Sequence, residues 1–169
     1  MRLLLLAALP LLAAEPEQTV KLRALMAATP AAPHRETVLA LKPALPLDMV
    51  SSVAVDANGL VYILQRGKQT DPVVIARKDG TVLRSWGSGM YTIPHSIRID
   101  PQGKVWTVDA GDSTIRQFSP LGRQLRKLTV ELPAKPSGPF CGAADIAFAL
   151  NGHFYIADGY QNTDRKSVV

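Results

Sequence analysis

Ser96-Ile97-Arg98-Ile99-Asp100-Pro101-Gln102-Gly103-Lys104-Val105-Trp106-Thr107-Val108-Asp109 decides the fold. Ser96 to Asp100 alternates polar and apolar residues, the period of a half-buried strand. Pro101-Gln102-Gly103 is a turn, because glycine tolerates the positive φ that tight turns need. Lys104 to Asp109 is a second strand, rich in β-branched and aromatic residues. The same strand–turn–strand unit precedes it in Val50 to Gly67 and follows it in Ala143 to Tyr160. Val53, Ile97 and Ile146 share one position of the unit, 44 and 49 residues apart, and Gly59, Gly103 and Gly152 share another.

Two further strands complete the second unit. Ala110-Gly111-Asp112-Ser113 breaks the second strand. Thr114 to Phe118 is the third, Ser119-Pro120-Leu121-Gly122 turns, and Arg123 to Val130 is the fourth. The first unit continues the same way through Val73–Arg77, the hairpin signal Lys78-Asp79-Gly80, and Thr81–Trp86. A period of about 40–50 residues with four short antiparallel strands predicts an all-β chain of propeller blades. A β-sandwich also carries many short strands, but it has no reason to repeat one strand–turn–strand unit at a fixed period.

The chain has 169 residues. Met1-Arg2 followed by the apolar run Leu3–Ala14 reads as a secretory signal peptide over residues 1–14, implying a secreted or periplasmic protein. The run is too short to span a bilayer, and a short N-terminal anchor is the alternative. Residues 15–46 read as a linker or as a segment that closes the ring, with one short strand expected over Glu36 to Leu41. Residues 47–169 read as a partial propeller of about two and a half to three blades. The third unit is expected to stop after its second strand, because Arg165-Lys166-Ser167-Val168-Val169 lacks the turn-and-strand rhythm. Open blade edges of that kind predict aggregation or a need for a partner.

A net charge of +5, with no basic cluster interleaved with aromatics, argues against nucleic-acid binding. The single cysteine, Cys141, has no partner for an internal disulfide. No phosphate-binding glycine loop and no serine-nucleophile motif occur.

Blade topology gathers side chains. The first strand starts at one face of the disc, and the second strand returns to that face. His95 at the start of a first strand, and Arg66 and Tyr160 just past second strands, are therefore expected at one mouth of the channel, where loops on a rigid scaffold hold sites. His153 opens a second strand at the opposite face, and His34 lies in the poorly patterned lead. Each of the three mouth residues also has a structural reading: a hydrogen-bonded histidine, a solvated or paired arginine, a packed tyrosine.

The units resemble NHL-type repeats. More narrowly, Val50-Ser51-Ser52-Val53-Ala54-Val55-Asp56, Arg66-Gly67, Ile93-Pro94-His95, Phe140-Cys141 and Asp158-Gly159-Tyr160-Gln161-Asn162 resemble the peptidyl-α-hydroxyglycine α-amidating lyases. Those six-bladed propellers cleave peptidyl-α-hydroxyglycine to a peptide amide and glyoxylate. The resemblance implies zinc and calcium as cofactors. It implies His95 as a zinc ligand, Arg66 as the arginine at the substrate hydroxyl and carboxylate, and Tyr160 as the general base. It implies that the backbone carbonyls of Val53 and Ile97 hold a structural calcium. Three departures stand out. Gln161 occupies the position of the cysteine that pairs with the one matching Cys141. Gln65 stands where the enzymes usually have histidine. Ser51 and Ala144 occupy the other first-strand positions equivalent to His95, which leaves the zinc set incomplete in this chain. The expectation is thus a lyase-like propeller, inactive by itself, with a peptide substrate at one face. The alternative is a non-enzymatic NHL scaffold that binds a protein or glycan through its face loops.

Overall fold

The computed structural model describes residues 16–130, 142–159 and, for the backbone, 166–168. The chain forms two units, Met1–Thr37 and Val38–Val169. In the first, α1 (Glu17–Ala28) follows Pro16 and carries an i,i+4 pair, Lys21–Glu17, at 2.7 Å. None of its residues is buried. The sequence reading places no helix in this lead, since a helix that buries nothing leaves no apolar stripe to read. The expected signal peptide lies outside the described residues.

The second unit is built from three antiparallel sheets. The first is β1 (Val50–Val55), β2 (Val61–Gln65), β3 (Val73–Ala76) and β4 (Val82–Trp86), in that spatial order. The second is β5 (Pro94–Ile99), β6 (Val105–Asp109), β7 (Thr114–Phe118) and β8 (Gln124–Thr129), ordered likewise. The third is β9 (Asp145–Phe148), β10 (Phe154–Ala157) and β11 (Lys166–Val168), in the order β11-β10-β9. The first strands are neighbours, β1 against β5 and β5 against β9. This is part of a β-propeller.

Two expectations are corrected. The third unit does not stop after two strands, because β11 pairs with β10 through Phe154↔Val168, Tyr155↔Ser167 and Ile156↔Lys166. Three residues are enough to continue a ladder whose partner strand already exists, yet too few to show alternation. No strand forms over Glu36 to Leu41. Instead Lys42 alone makes a parallel bridge to Thr81 beside β4, donating to the Gly80 carbonyl at 2.8 Å and accepting from the Val82 amide at 2.9 Å.

The turn between first and second strands has a common chemistry. Asp56 Oδ1 accepts from the amides of Asn58 (2.9 Å) and Leu60 (2.8 Å). Asp100 Oδ1 accepts from Gln102 (3.0 Å) and Lys104 (2.7 Å). Such side-chain turns reinforce the backbone bonds that close the reversal, from the Asp56 amide to the Leu60 carbonyl (3.0 Å) and from the Asp100 amide to the Lys104 carbonyl (2.9 Å), and Gly103 supplies the positive φ of 75°. In the third unit, where Ala149 replaces the aspartate, Asn151 Oδ1 accepts from the His153 amide at 3.1 Å.

Sheet faces mesh in sequence. Tyr62, Leu64, Val73 and Ile75 of the first sheet pack on Ile97, Val105 and Phe118 of the second. Trp106, Val108 and Ile115 on the other face of the second sheet pack on Ile146, Phe154 and Ile156 of the third. Trp86 at the end of the first sheet lies 4.5 Å, centroid to centroid, from Phe118. A side chain at Gly122 would strike the Trp86 ring, so glycine is required there by close approach as well as by its φ of 87°.

The repeat therefore gives one aromatic position, 62, 106 and 155, the task of facing the next sheet. Tyr62 is 1% exposed and Trp106 4%, both covered, whereas Tyr155 is 48% exposed on the open face of the third sheet. The backward-facing position runs the other way: Ile97 and Ile146 are covered, and Val53 is 49% exposed. We predict that Tyr62→Ala costs about 3 kcal/mol and that Tyr155→Ala costs less than about 0.5 kcal/mol. Urea unfolding of the two variants measures the difference; equal losses would refute the assignment of faces.

Candidate functional site

The mouth of the channel is shaped by the loops that enter first strands and leave second strands. One buried position of the repeat ties them together: Gln65, Asp109 and Asp158 end or follow β2, β6 and β10, and all three are nearly inaccessible. Gln65 Nε2 donates to the carbonyls of Gly67 (3.2 Å), Thr70 (2.7 Å) and Asp71 (3.2 Å). Its Oε1 accepts from the amides of Asp48 (3.3 Å) and Gly67 (2.5 Å). Asp109 Oδ2 accepts from the Thr92 amide at 2.6 Å. Its Oδ1 accepts from Ile93 (2.9 Å), Gly111 (2.8 Å) and Asp112 (3.3 Å). Buried loop amides require such partners. Asp109 thereby fixes the two residues that lead into Pro94-His95. The sequence marks Gln65 as a departure but not the anchoring role shared with Asp109 and Asp158, although the signal is present: three polar residues at the same repeat position, each at the end of an apolar strand.

Arg66 is tied to the residue that precedes His95. The Arg66 amide donates to the Met49 carbonyl at 3.0 Å, which holds the end of β2 beside the start of β1. The Arg66 Nε donates to the Pro94 carbonyl at 3.0 Å, which binds the guanidinium to the residue before His95. Its second nitrogen lies 3.3 Å from Met49 Sδ. His95 is half-buried, and its Nδ1 lies 2.8 Å from the Ala144 carbonyl. A carbonyl only accepts, so Nδ1 carries the hydrogen, and in the neutral ring Nε2 carries the lone pair. That is the tautomer arrangement typical of a metal-ligating histidine, whose other nitrogen donates to an orienting acceptor. Ala144 holds the position equivalent to His95 in the third unit, so the ring spans from one blade to the next. Ser51, the other equivalent, donates its hydroxyl to the Leu64 carbonyl at 3.3 Å. Among the described residues no three His, Cys, Asp or Glu side chains gather into a metal-binding group. Tyr160 and Cys141 lie outside the described residues.

Ile97, the expected calcium ligand through its carbonyl, is engaged by the chain itself: Arg98 donates to that oxygen at 2.9 Å. Val53 stands at the same position in β1, paired with Ile63.

Among the described residues, Tyr91, in the loop that leads into β5, does not suit base chemistry. Tyr91 donates to Thr107 Oγ1 at 3.1 Å, and Arg116 lies over its ring, 5.4 Å from the centroid. Burial pushes its phenol up from the ordinary 10.0 to about 12, against the smaller opposing pull of the Thr107 bond and of Arg116. A base needs the opposite shift.

No protein-family model matches the chain. A probable peptidyl-alpha-hydroxyglycine alpha-amidating lyase from Caenorhabditis elegans is 26% identical over 155 residues, 76% of this chain and 43% of its own length. Peptidyl-alpha-hydroxyglycine alpha-amidating lyase 2 of Drosophila melanogaster is 31% identical over 63% of this chain and 27% of its own. The human NHL repeat-containing protein 3 is 33% identical over 63% and 34%. These are the two groups to which the repeat motifs point. The chain spans less than half the length of these relatives. Among solved structures, a catalytically inactive virginiamycin B lyase from Staphylococcus aureus with quinupristin superposes at a TM-score of 0.52. It is 16% identical over 70% of this chain and 40% of that one. A gluconolactonase from Xanthomonas campestris gives 0.50 at 19% identity over 67% and 36%. At such identities these neighbours show the propeller fold.

Two predictions follow from the mouth. Asp109→Ala leaves the amides of Thr92, Ile93, Gly111 and Asp112 without their carboxylate, at a cost of about 3 kcal/mol. Their hydrogen exchange is expected to accelerate while that of β2 is unchanged; uniform acceleration would show only global loss. Tyr91 has a folded pKa above its unfolded one. Its contribution to stability is therefore complete below pH 10 and is lost as pH rises towards about 12. Urea midpoints across that range are expected to fall, and to fall less in Tyr91→Phe.

Proposed function

We propose that this chain is the substrate-gripping part of a secreted lyase-like propeller that acts on peptidyl-α-hydroxyglycine and that it does not turn over by itself. The observation that carries the reading is the bond from Arg66 Nε to the Pro94 carbonyl. It ties the guanidinium to the backbone of the residue that precedes His95, whose Nδ1 lies against the Ala144 carbonyl. The relatives named as amidating lyases support the substrate class. Secretion rests on the apolar run after Met1-Arg2; no described helix is long and apolar enough to cross a membrane.

In this reading Arg66 binds the carboxylate of the hydroxyglycine terminus, since its planar donors match a carboxylate. His95 offers Nε2 as one zinc ligand, with further ligands supplied from outside this chain. When bound, zinc supplies Lewis-acid polarisation of the substrate oxygens. Tyr160 accepts the hydroxyl proton. The O–H electron pair becomes the carbonyl of glyoxylate, the C–N bond breaks with its pair on nitrogen, and that nitrogen takes up the proton Tyr160 accepted to leave as the peptide amide. A tyrosine phenol, ordinarily near 10, must be lowered to act this way, as a neighbouring positive charge would do.

A second reading, a scaffold that binds a protein or glycan through its face loops, is favoured by Gln65. The side chain at that position is buried and spends its amide on the loop carbonyls. The human NHL repeat relative supports it too.

The test uses the full chain, zinc and a peptidyl-α-hydroxyglycine. Weak binding without glyoxylate release is expected, weakened about tenfold, or ~1.4 kcal/mol, by Arg66→Met. Zinc is expected to perturb the His95 ring resonances, and His95→Ala to abolish the effect. Binding indifferent to both substitutions would favour the scaffold; release of glyoxylate would overturn the inactivity of the isolated chain.

A further inference from the structure

The first strands of the three blades are joined by one cation, and it belongs to the chain. Arg98 in β5 donates to the Ser52 hydroxyl of β1 at 3.3 Å and to the Ile97 carbonyl at 2.9 Å. It also donates to Asp145 Oδ2 of β9 at 2.5 Å. Asp145 Oδ1 accepts in turn from the Ser96 hydroxyl and from the Ile146 amide. Ser52, Ser96 and Asp145 hold one position of the repeat; the guanidinium bonds that position directly in the first and third blades, and Ser96 of the second joins through Asp145. The position of Arg98 itself is alanine in the other units, Ala54 and Ala147. The arginine is thus an exception to the repeat, set where three inner strands converge.

We propose that the Arg98 guanidinium takes the place of the structural calcium ion that the family resemblance implies, so that the inner strands of this chain are held together without a divalent metal. Calcium takes six to eight oxygen ligands and favours carboxylates. The Ile97 carbonyl already accepts from a cation, and the one carboxylate beside it, Asp145, is paired with that same cation on one oxygen and with two donors on the other. A divalent ion bound to the Ile97 carbonyl would face the guanidinium across one oxygen, with no second carboxylate among the described residues that touch the cluster to offset the repulsion. The planar fork of arginine, with five donors, fits the task of reaching a carbonyl, a hydroxyl and a carboxylate together. The contacts stand independently of any catalytic role for Arg66, His95 or Tyr160.

Thermal melts of the full chain in EGTA and in millimolar calcium, with calorimetric titration of calcium alone, test this. The unaltered chain is expected to melt at the same temperature in both and to show no saturable calcium binding. Arg98→Met, which keeps the stem and removes the charge, is expected to lower the melting temperature by about 5 °C; failure of that variant to fold counts the same way. Arg98→Lys is expected to recover only part of the loss, because an ammonium lacks the fork. Saturable calcium binding with a raised melting temperature in the unaltered chain would overturn the proposal, as would an Arg98→Met chain as stable as its parent.

Discussion

The row of sheets depends on burial of the forward faces of the first and second sheets by the sheet that follows each. Tyr62, Leu64, Val73 and Ile75 cannot be dried by their own blade. They require Ile97, Val105 and Phe118, and the second sheet requires Ile146, Phe154 and Ile156 in the same way. Removal of apolar surface from water is the main favourable term in folding, so a blade is stable only as a member of a row. The repeat length keeps the row in phase, and the glycine turns keep each strand pair in register with the next.

That dependence places the candidate site. Because first strands lie side by side, residues 46 to 49 positions apart in sequence become contacts: His95 reaches the Ala144 carbonyl, and Arg98 reaches Ser52 and Asp145. Arg66, just past a second strand, reaches Pro94, 28 residues on. None of these pairs is local, and each crosses from one blade to another. The site is therefore a property of packing between sheets rather than of any single blade.

The strands were legible because alternation and glycine turns are local signals: β5, β6 and β7 follow directly from Ser96 to Phe118. The bond from Arg66 to the residue before His95 agrees with topology, which brings the start of a first strand beside the end of a second. What escaped was of three kinds. The helix α1 buries nothing, and β11 is too short to alternate. Arg98 looks like an ordinary polar residue in an alternating strand, and only its exceptional place in the repeat, beside Ala54 and Ala147, marks it. Asp109 and Gln65 read as strand ends, since hydrogen bonding to loop amides leaves no period in the sequence. The calcium expectation at Ile97 met a guanidinium that no spacing rule would have placed there.

The buried polar position at the end of each second strand has a wider consequence. Because Gln65 and Asp109 hold their loops through backbone amides and carbonyls, the outward side chains of those loops carry little of the anchoring. Residues such as Lys68, Gln69 and Thr92 are free to vary while the path of the main chain persists. A surface so organised can change what it recognises by substitution alone, with its underlying frame left intact.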